Sequence, residues 1–445
     1  MPESSFNAGR RRPVLIATLG THGDVRPIIA LGRGLQERGY PVRVLTSANF
    51  EALIRANGLD FFPLSGDHQK LLQGHPDVAE MRGGWRGIWG TLRAQLLEWA
   101  RDWAEQGRAA CADAGLILGV GSASLLAHSL GQAYGLPVVF TQLQPLTASR
   151  HVPLMVMPTV RLPGLVSVAL HHAVRFAGWQ LMRPALNGIV RPALGLPAYP
   201  WSGPDRSAQR VVYGYSEHLC PRPPDWPDRA QVSGFWQLPQ PQWQPPAALQ
   251  AFLQAGPPPL YIGFGSMISS DAAQLTATVK AAVRLTGQRA LLASGWGGLA
   301  AAEDASDDAQ RFFQLEQAPH DWLFPRVSVA VHHGGAGTTG AALAAGIPSV
   351  VLPFGYDQPF WAHCLAQRGV APPALARVGL QPETLADAIG QASAPSMRAA
   401  ARALGQRIRE EDGIGRAVEQ LKAWGLLQPA LSVAPAVRIE QQAVA

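Results

Sequence analysis

The stretch His332-His333-Gly334-Gly335-Ala336-Gly337-Thr338-Thr339, followed further on by Pro353-Phe354-Gly355-Tyr356-Asp357-Gln358, carries the most structural information in this chain. Before it, the apolar run Val327 to Val331 reads as a buried parallel strand. Behind it, Ala341 to Ala345 are good helix formers ended by Gly346, and Ser349 to Pro353 reads as the next strand. The unit is strand, Gly-rich turn, helix, strand. Such a turn aims unpaired backbone N–H groups and the positive end of a helix at one point, where an anion binds. Glycine lets the anion approach the backbone, and the Thr338 and Thr339 hydroxyls can donate as well. A diphosphate fits there. Asp357 and Gln358 emerge at the end of the following strand with the groups that bind sugar hydroxyls. A diphosphate beside a polar clamp of that size is a nucleotide-sugar site.

Working outward, the same alternation recurs twice. In the first half, strands are predicted at 13–19, 41–45, around Phe61, and at 116–120, 138–141 and 211–213, with a helix from just after Pro27 to about Arg38. Proline is dense from 220 to 259, which reads as a linker. A second series follows at 260–262, 290–292, 312–313, 327–331 and 349–352. Strands alternating with helices imply parallel sheets covered on both faces. The expected organisation is a basic arm (1–12), a first Rossmann-like domain (13–235), a Pro-rich linker (236–259), and a second Rossmann-like domain with the nucleotide-sugar turn (260–427) whose last helices return to the first domain. A tail (428–445) closes the chain. Ligands of such sheets bind beyond the carboxyl ends of the strands, so two facing domains enclose a cleft.

Composition agrees with a large α/β protein: 445 residues, 47% hydrophobic and only 15% charged. There is no apolar run long enough for a transmembrane helix. Arg10-Arg11-Arg12 precedes a short apolar segment patterned as a strand rather than a signal peptide. Three cysteines, Cys111, Cys220 and Cys364, lie far apart in sequence without zinc-ligand spacing, which points to a reducing cytoplasm. The net charge of +6 is spread along the chain, unlike a nucleic-acid-binding stripe. One region stands out. From Ala114 to Pro204 there is no Asp or Glu, whereas Arg150, Arg161, Arg175, Arg183 and Arg191 punctuate apolar sequence. It reads either as core with a few paired arginines or as a surface that meets an anionic membrane, at the inner face of the cytoplasmic bilayer.

The segment Ala318-Pro319-His320-Asp321-Trp322-Leu323-Phe324-Pro325 through Asp357-Gln358-Pro359-Phe360-Trp361 resembles the donor signature of family 1 glycosyltransferases. Within them it looks most like the sterol 3-beta-glucosyltransferase branch. The loop Gly20-Thr21-His22-Gly23-Asp24-Val25-Arg26-Pro27 is similar to that branch's acceptor-side loop, and Gly263-Phe264-Gly265-Ser266 and Gly295-Trp296-Gly297-Gly298 extend the likeness over roughly residues 13 to 420. The resemblance implies the GT-B fold, two facing Rossmann-like domains with the ligand cleft between them. It implies an inverting, metal-independent transfer, with a UDP-sugar as co-substrate and no resident cofactor, to a lipophilic hydroxylated acceptor such as a sterol or triterpenoid. Donor contacts are expected from Ser266, the main chain of Ala318, His333, Gly334, Gly335, Gly337, Thr338, Asp357 and Gln358.

The reaction needs a base for the acceptor hydroxyl and stabilisation of charge on the departing diphosphate. Asp24 is the first candidate base, because it falls where many relatives carry a catalytic His or Asp; His22 is the rival. The structural alternative for Asp24 is a helix cap. Relatives with a catalytic His often orient it through an acid after a later strand, but Leu118-Gly119-Val120 supplies none, which favours Asp24 acting directly. Gln317 stands where many plant relatives stack uracil on Trp, so a dTDP-sugar stays open as donor. The same residues also admit a tailoring glycosyltransferase of polyketides or macrolides, a nucleotide-sugar epimerase, or a non-catalytic sugar-nucleotide-binding protein. Trp85, Trp89, Trp99 and Trp103 read as one helix's core or an acceptor-pocket wall. His171-His172 reads as incidental rather than a metal pair.

Overall fold

A computed structural model describes residues 11–75, 78, 84–155, 157–160, 162–240, 242–265, 272–294 and 310–427. The first sheet contains β1 (Val14–Leu19), β2 (Val42–Thr46), β3 (Asp60–Pro63), β4 (Leu116–Gly121), β5 (Val138–Gln142), β6 (Arg210–Tyr213) and β7 (Ala230–Val232). Its strands are all parallel and run in the order β3-β2-β1-β4-β5-β6-β7. The second contains β8 (Leu260–Gly263), β9 (Ala290–Ala293), β10 (Phe312–Leu315), β11 (Ala330–His332) and β12 (Ser349–Val351), again parallel, in the order β10-β9-β8-β11-β12.

β1 shows why these runs are apolar at every position rather than alternately. Val14 and Ile16 enter one core, while Leu15, Ala17 and Leu19 enter another on the opposite face. A parallel strand covered by helices on both sides must satisfy both. Each such side chain contributes about 1.5–3 kcal/mol on burial. β8 repeats the arrangement, with Leu260 and Ile262 on one side and Tyr261 on the other. The C-terminal helix Gly413–Ala423 leaves the second sheet and places Ala417, Val418 and Leu421 in the core beneath β1.

A further apolar cluster belongs to neither sheet alone. Tyr213, Tyr215, Leu219 and Trp226 pack there with Val351, Phe360, Trp361 and Leu365. It also brings the buried Cys220 and Cys364 into hydrogen-bonding contact, although both are free thiols. Sequence separation concealed that neighbourhood.

Several expectations need correction. The first helix is His22–Glu37 and does not wait for Pro27. Thr21 and Asp24 form a capping box that nucleates it earlier, and Pro27 is accommodated inside. The strand expected over 327–331 is only Ala330–His332, because Phe324–Arg326 forms a 3-10 turn and occupies the preceding chain. The Pro-rich stretch beginning at 220 is not simply a linker, since Ala230–Val232 adds an edge strand to the first sheet. Ser266, the Gly295–Gly298 turn, Arg161 and the tail from 428 lie outside the described residues.

Candidate active site

In each sheet the strand order reverses between two strands whose following loops diverge: β1 and β4 in the first, β8 and β11 in the second. Such switch points open the crevice that ligands occupy. The turn after β1 carries Thr21 and leads into the first helical turn with His22 and Asp24; the loop after β11 carries His333, Gly334 and Gly335. Register places His332 beside Gly263, so the Gly-rich turn and Gly265 meet at the same point.

The two helix starts at these points are built differently. On the acceptor side, Asp24 Oδ2 accepts the Thr21 N–H at 2.9 Å, and Thr21 Oγ1 accepts the Gly23 N–H at 3.3 Å. The helix caps itself. On the donor side, helix Ala336–Ala345 begins after Gly335 with no side-chain cap, and its first backbone acceptor in the helical ladder, the Gly335 carbonyl, serves Thr339. The amides of Ala336, Gly337 and Thr338 are therefore the open end of a helix, an arrangement that can hold an anion. Gly337 is exposed there.

His333 lies under this turn, between Gly265 and Gly335: a methyl on Gly335 would stand 2.5 Å from its Nε2, and one on Gly265 would stand 3.1 Å from its Cε1. Among the described residues its Nδ1 is buried and has no partner. Burial pushes its pKa down to about 4, so the ring is neutral at physiological pH. His332 is fully buried, and its Nδ1 accepts the Gly334 N–H at 3.1 Å. It shapes the turn from behind. Ala318 is partly buried against the core that holds Leu315 and Leu323.

A neutral His333 makes a definite prediction for pH. Because its ring titrates near 4, any contact it makes with a nucleotide sugar should not change between about pH 6 and 8. Nucleotide-sugar affinity of the His333→Ala variant should be about tenfold weaker at both pH values, by the loss of one hydrogen bond of roughly 1–1.5 kcal/mol. Calorimetric titration with UDP checks this; a ratio that changes with pH would contradict it.

Asp357 and Gln358, paired in sequence, have different roles. Asp357 is half-buried, and its Oδ2 accepts Trp361 Nε1–H at 2.8 Å and Gln144 Nε2–H at 3.1 Å. Gln144 belongs to the other domain, just past β5, so Asp357 bridges the cleft. Burial raises the Asp357 pKa against those two hydrogen bonds, and the nearby Asp24 carboxylate raises it further. Asp24 is itself raised by burial, partly offset by the Thr21 backbone and hydroxyl. The proposed base and the proposed sugar clamp thus sense each other across the cleft. Gln358, in contrast, is buried, and its Oε1 accepts Phe354 N–H at 2.6 Å and Gly355 N–H at 3.2 Å. Its side-chain carbonyl holds the loop that presents Asp357. Next to them, Tyr356 sits at φ 59°, a conformation costly for a bulky residue, and its hydroxyl reaches the Val78 carbonyl at 3.3 Å.

His22 is exposed and meets Phe50 edge-on at 5.0 Å. Desolvation and the Arg26 guanidinium lower its pKa. Arg26 also feels Asp321 of the facing domain. Trp99 and Trp103 are core of the long helix Trp85–Cys111, and Trp103 Nε1 donates to the Ser65 carbonyl at 2.7 Å. His171 and His172 diverge, one to the Val152 carbonyl and the other to Arg175. Sequence reasoning missed Gln144 and Trp361 as partners of Asp357. Trp361 was visible at the i+4 position from Asp357 on a helix; nothing local marked Gln144.

Comparisons with known proteins cover most of the chain. Residues 14–131 match the glycosyltransferase family 28 N-terminal domain, and residues 313–413 match the erythromycin biosynthesis protein CIII-like C-terminal domain. A sterol 3-beta-glucosyltransferase of Arabidopsis thaliana is 31% identical over 93% of this chain and 68% of its own length. A sterol 3-beta-glucosyltransferase of Aspergillus clavatus is 31% identical over 94% of this chain, which spans only 30% of that protein. Among solved structures, the glycosyltransferase of kitacinnamycin and the calicheamicin glycosyltransferase CalG4 each superpose with a TM-score of 0.66, covering 94% of this chain and 100% of theirs, at 19% and 18% identity. Those structures establish the fold as GT-B. The two matching domains and the sequence match along most of the chain lead to one conclusion: this chain is a glycosyltransferase of family 1 and belongs to its sterol 3-beta-glucosyltransferase-like branch.

Proposed function

We propose that the chain transfers glucose from UDP-glucose, with inversion, to a hydroxyl of a sterol, triterpenoid or similar lipophilic alcohol. The observation that carries this reading is the pairing of an uncapped helix end with a carboxylate of raised pKa on the opposite wall of one cleft. The acceptor oxygen attacks the anomeric carbon from the face opposite the diphosphate and forms the new C–O bond. The anomeric bond to the diphosphate breaks, UDP leaves with that electron pair, and the acceptor's proton passes to Asp24. A single displacement of this kind inverts the anomeric centre. Charge growing on the leaving group falls on the amides of Ala336, Gly337 and Thr338 and on neutral His333. Asp357 takes sugar hydroxyls. This reading routes no step through a metal ion.

The lipid acceptor and the UDP-glucose donor rest on the match to sterol 3-beta-glucosyltransferases. A second reading, a dTDP- or UDP-sugar transferase acting on a polyketide or other secondary metabolite, is favoured by one observation: residues 313–413, the donor half, match an erythromycin biosynthesis domain. Contact with an anionic membrane through residues 114–204 belongs to the lipid reading, because the acceptor would be membrane-borne.

Nucleoside diphosphate release should be measured with UDP-glucose and with a dTDP-sugar, each against sterols, flavonoids and macrolides. Sterol-dependent release from UDP-glucose is expected. Turnover confined to dTDP-sugar and macrolide would replace the first reading with the second.

A further inference from the structure

The structure divides the acid-free segment into a buried part and an exposed part. Helix Gly164–Ala185 turns Ser167, Trp179 and Met182 inward. Its other side presents Leu165, which is 71% exposed, together with Val166 and Val174. No charged residue occurs from Gly164 to Val174, and the first to follow is Arg175. Of the ten large hydrophobic side chains exposed among the described residues, seven fall between Leu146 and Trp201, so the exposure is a patch rather than scatter.

Trp201 is 65% exposed yet firmly held. Its carbonyl accepts Trp179 Nε1–H at 2.9 Å and Gln180 Nε2–H at 3.0 Å, and its ring meets Phe176 at 4.7 Å. An indole fixed outward beside an apolar helix is the side chain that sits at a bilayer's headgroup level. Exposed Arg150 and Arg175 flank the patch. Two carboxylates come near, and each is engaged locally. Asp225 accepts from Ser149 and from the Arg150 N–H, and Asp205 accepts from Ser207. The helix is fastened to the cleft wall: Ser167 Oγ donates to the Ser149 carbonyl at 3.1 Å, and His171 reaches the Val152 carbonyl at 3.1 Å. That same loop begins at Gln144, which touches Asp357. The helix is therefore tied through this loop to the residue that meets Asp357.

We propose that helix Gly164–Ala185, with Trp201, is an in-plane docking face for an anionic phospholipid bilayer. It holds the acceptor side of the cleft against the membrane. The proposal rests on the lipid-acceptor reading for its purpose, though not for its test. No helix among the described residues is long and apolar enough to cross a membrane, so the contact is with the surface. Lipid is favoured over a second copy of this chain because pairing the patch with its own copy would bring the cationic flanks of both chains, Arg150 and Arg175, to one interface.

Flotation of the full chain with phosphatidylcholine vesicles, with and without phosphatidylglycerol, tests this. The protein should float with the anionic vesicles, and binding should weaken with salt. A Leu165→Glu/Val174→Glu variant, altered only at exposed positions, should lose at least about tenfold in vesicle affinity, by the apolar area withdrawn. Its thermal unfolding should be unchanged. It should also keep turnover of a detergent-solubilised acceptor while losing turnover of the same acceptor embedded in vesicles. Undiminished flotation of the variant, or no flotation of the unmodified chain, overturns the proposal. So does a dimer that the variant dissolves without any vesicle binding. Vesicle binding that the variant loses, with no lipid alcohol turned over, upholds the docking face and overturns the acceptor reading alone.

Discussion

Asp24→Asn should lower turnover by about 10²–10⁴-fold, the usual loss for a general base, with UDP affinity nearly unchanged. Asparagine is the informative substitution. Its carbonyl oxygen can still accept the Thr21 N–H that Asp24 Oδ2 accepts at 2.9 Å, so the capping box survives while the base is removed. Asp24 caps the helix and is proposed as the base, and this variant separates the two roles. A substitution to Ala would also remove the cap, at a cost of about 0.5–2 kcal/mol. Were Asp24 purely a cap, Asn would restore near-normal turnover, and that outcome would sink the assignment.

The pH dependence has a fixed sign. Burial raises the Asp24 pKa above the ordinary carboxylate value. A base must be unprotonated, so kcat/KM should climb as pH rises through this raised value and lie to the alkaline side of a free Asp. Stability runs the other way. A carboxylate whose folded pKa is raised favours the native state fully only below its unfolded pKa, and loses that contribution as pH rises through the folded value. Asp24→Asn should therefore leave the protein as stable or more stable at neutral pH, with the advantage vanishing in acid. Activity lost while stability is kept is the signature of a catalytic group.

Gly334→Ala should weaken UDP binding about 10–100-fold, or roughly 1.4–2.7 kcal/mol, because the anion site is made of backbone and cannot move without losing it. Gly334 has φ +91°, and an added methyl would stand 2.8 Å from Val351 Cγ1 and 3.1 Å from the Gln358 carbonyl. A fixed backbone oxygen cannot yield as a flexible side chain would, so the turn must shift. Unfolding should also become easier by about 1–3 kcal/mol, the cost of a residue held in an unfavourable backbone region. Gly337→Ala is the stability control. Its methyl meets nothing within 4 Å and lies in a helix, where Ala is preferred. Unchanged UDP affinity in Gly334→Ala would mean that the diphosphate is not held by this turn.

How far the site was legible differs residue by residue. His333, Gly334 and the open helix end could be read because a strand, a Gly-rich turn and a helix are contiguous, and the helix end needs no distant partner to attract an anion. Asp24 could be located but not interpreted: cap and base are both offered by one carboxylate at the start of a helix. For Gln358, adjacency to Asp357 suggested a shared task, and only the structure shows that its side chain turns inward and that its carbonyl braces the loop at Phe354 and Gly355. The acid-free segment stayed ambiguous between core and surface, and both were present on opposite sides of one helix.

From sequence alone came the parallel αβ alternation, the division into two halves and the Gly-rich turn that opens a helix, because apolar periodicity and glycine placement report burial and backbone shape locally. Only the tertiary structure decided that Gln144 reaches Asp357, that Asp24 raises the pKa of Asp357, and that Cys220 meets Cys364. These pairs join elements from different sheets. No local pattern encodes such a contact, since it depends on how two independently patterned domains come to rest against each other.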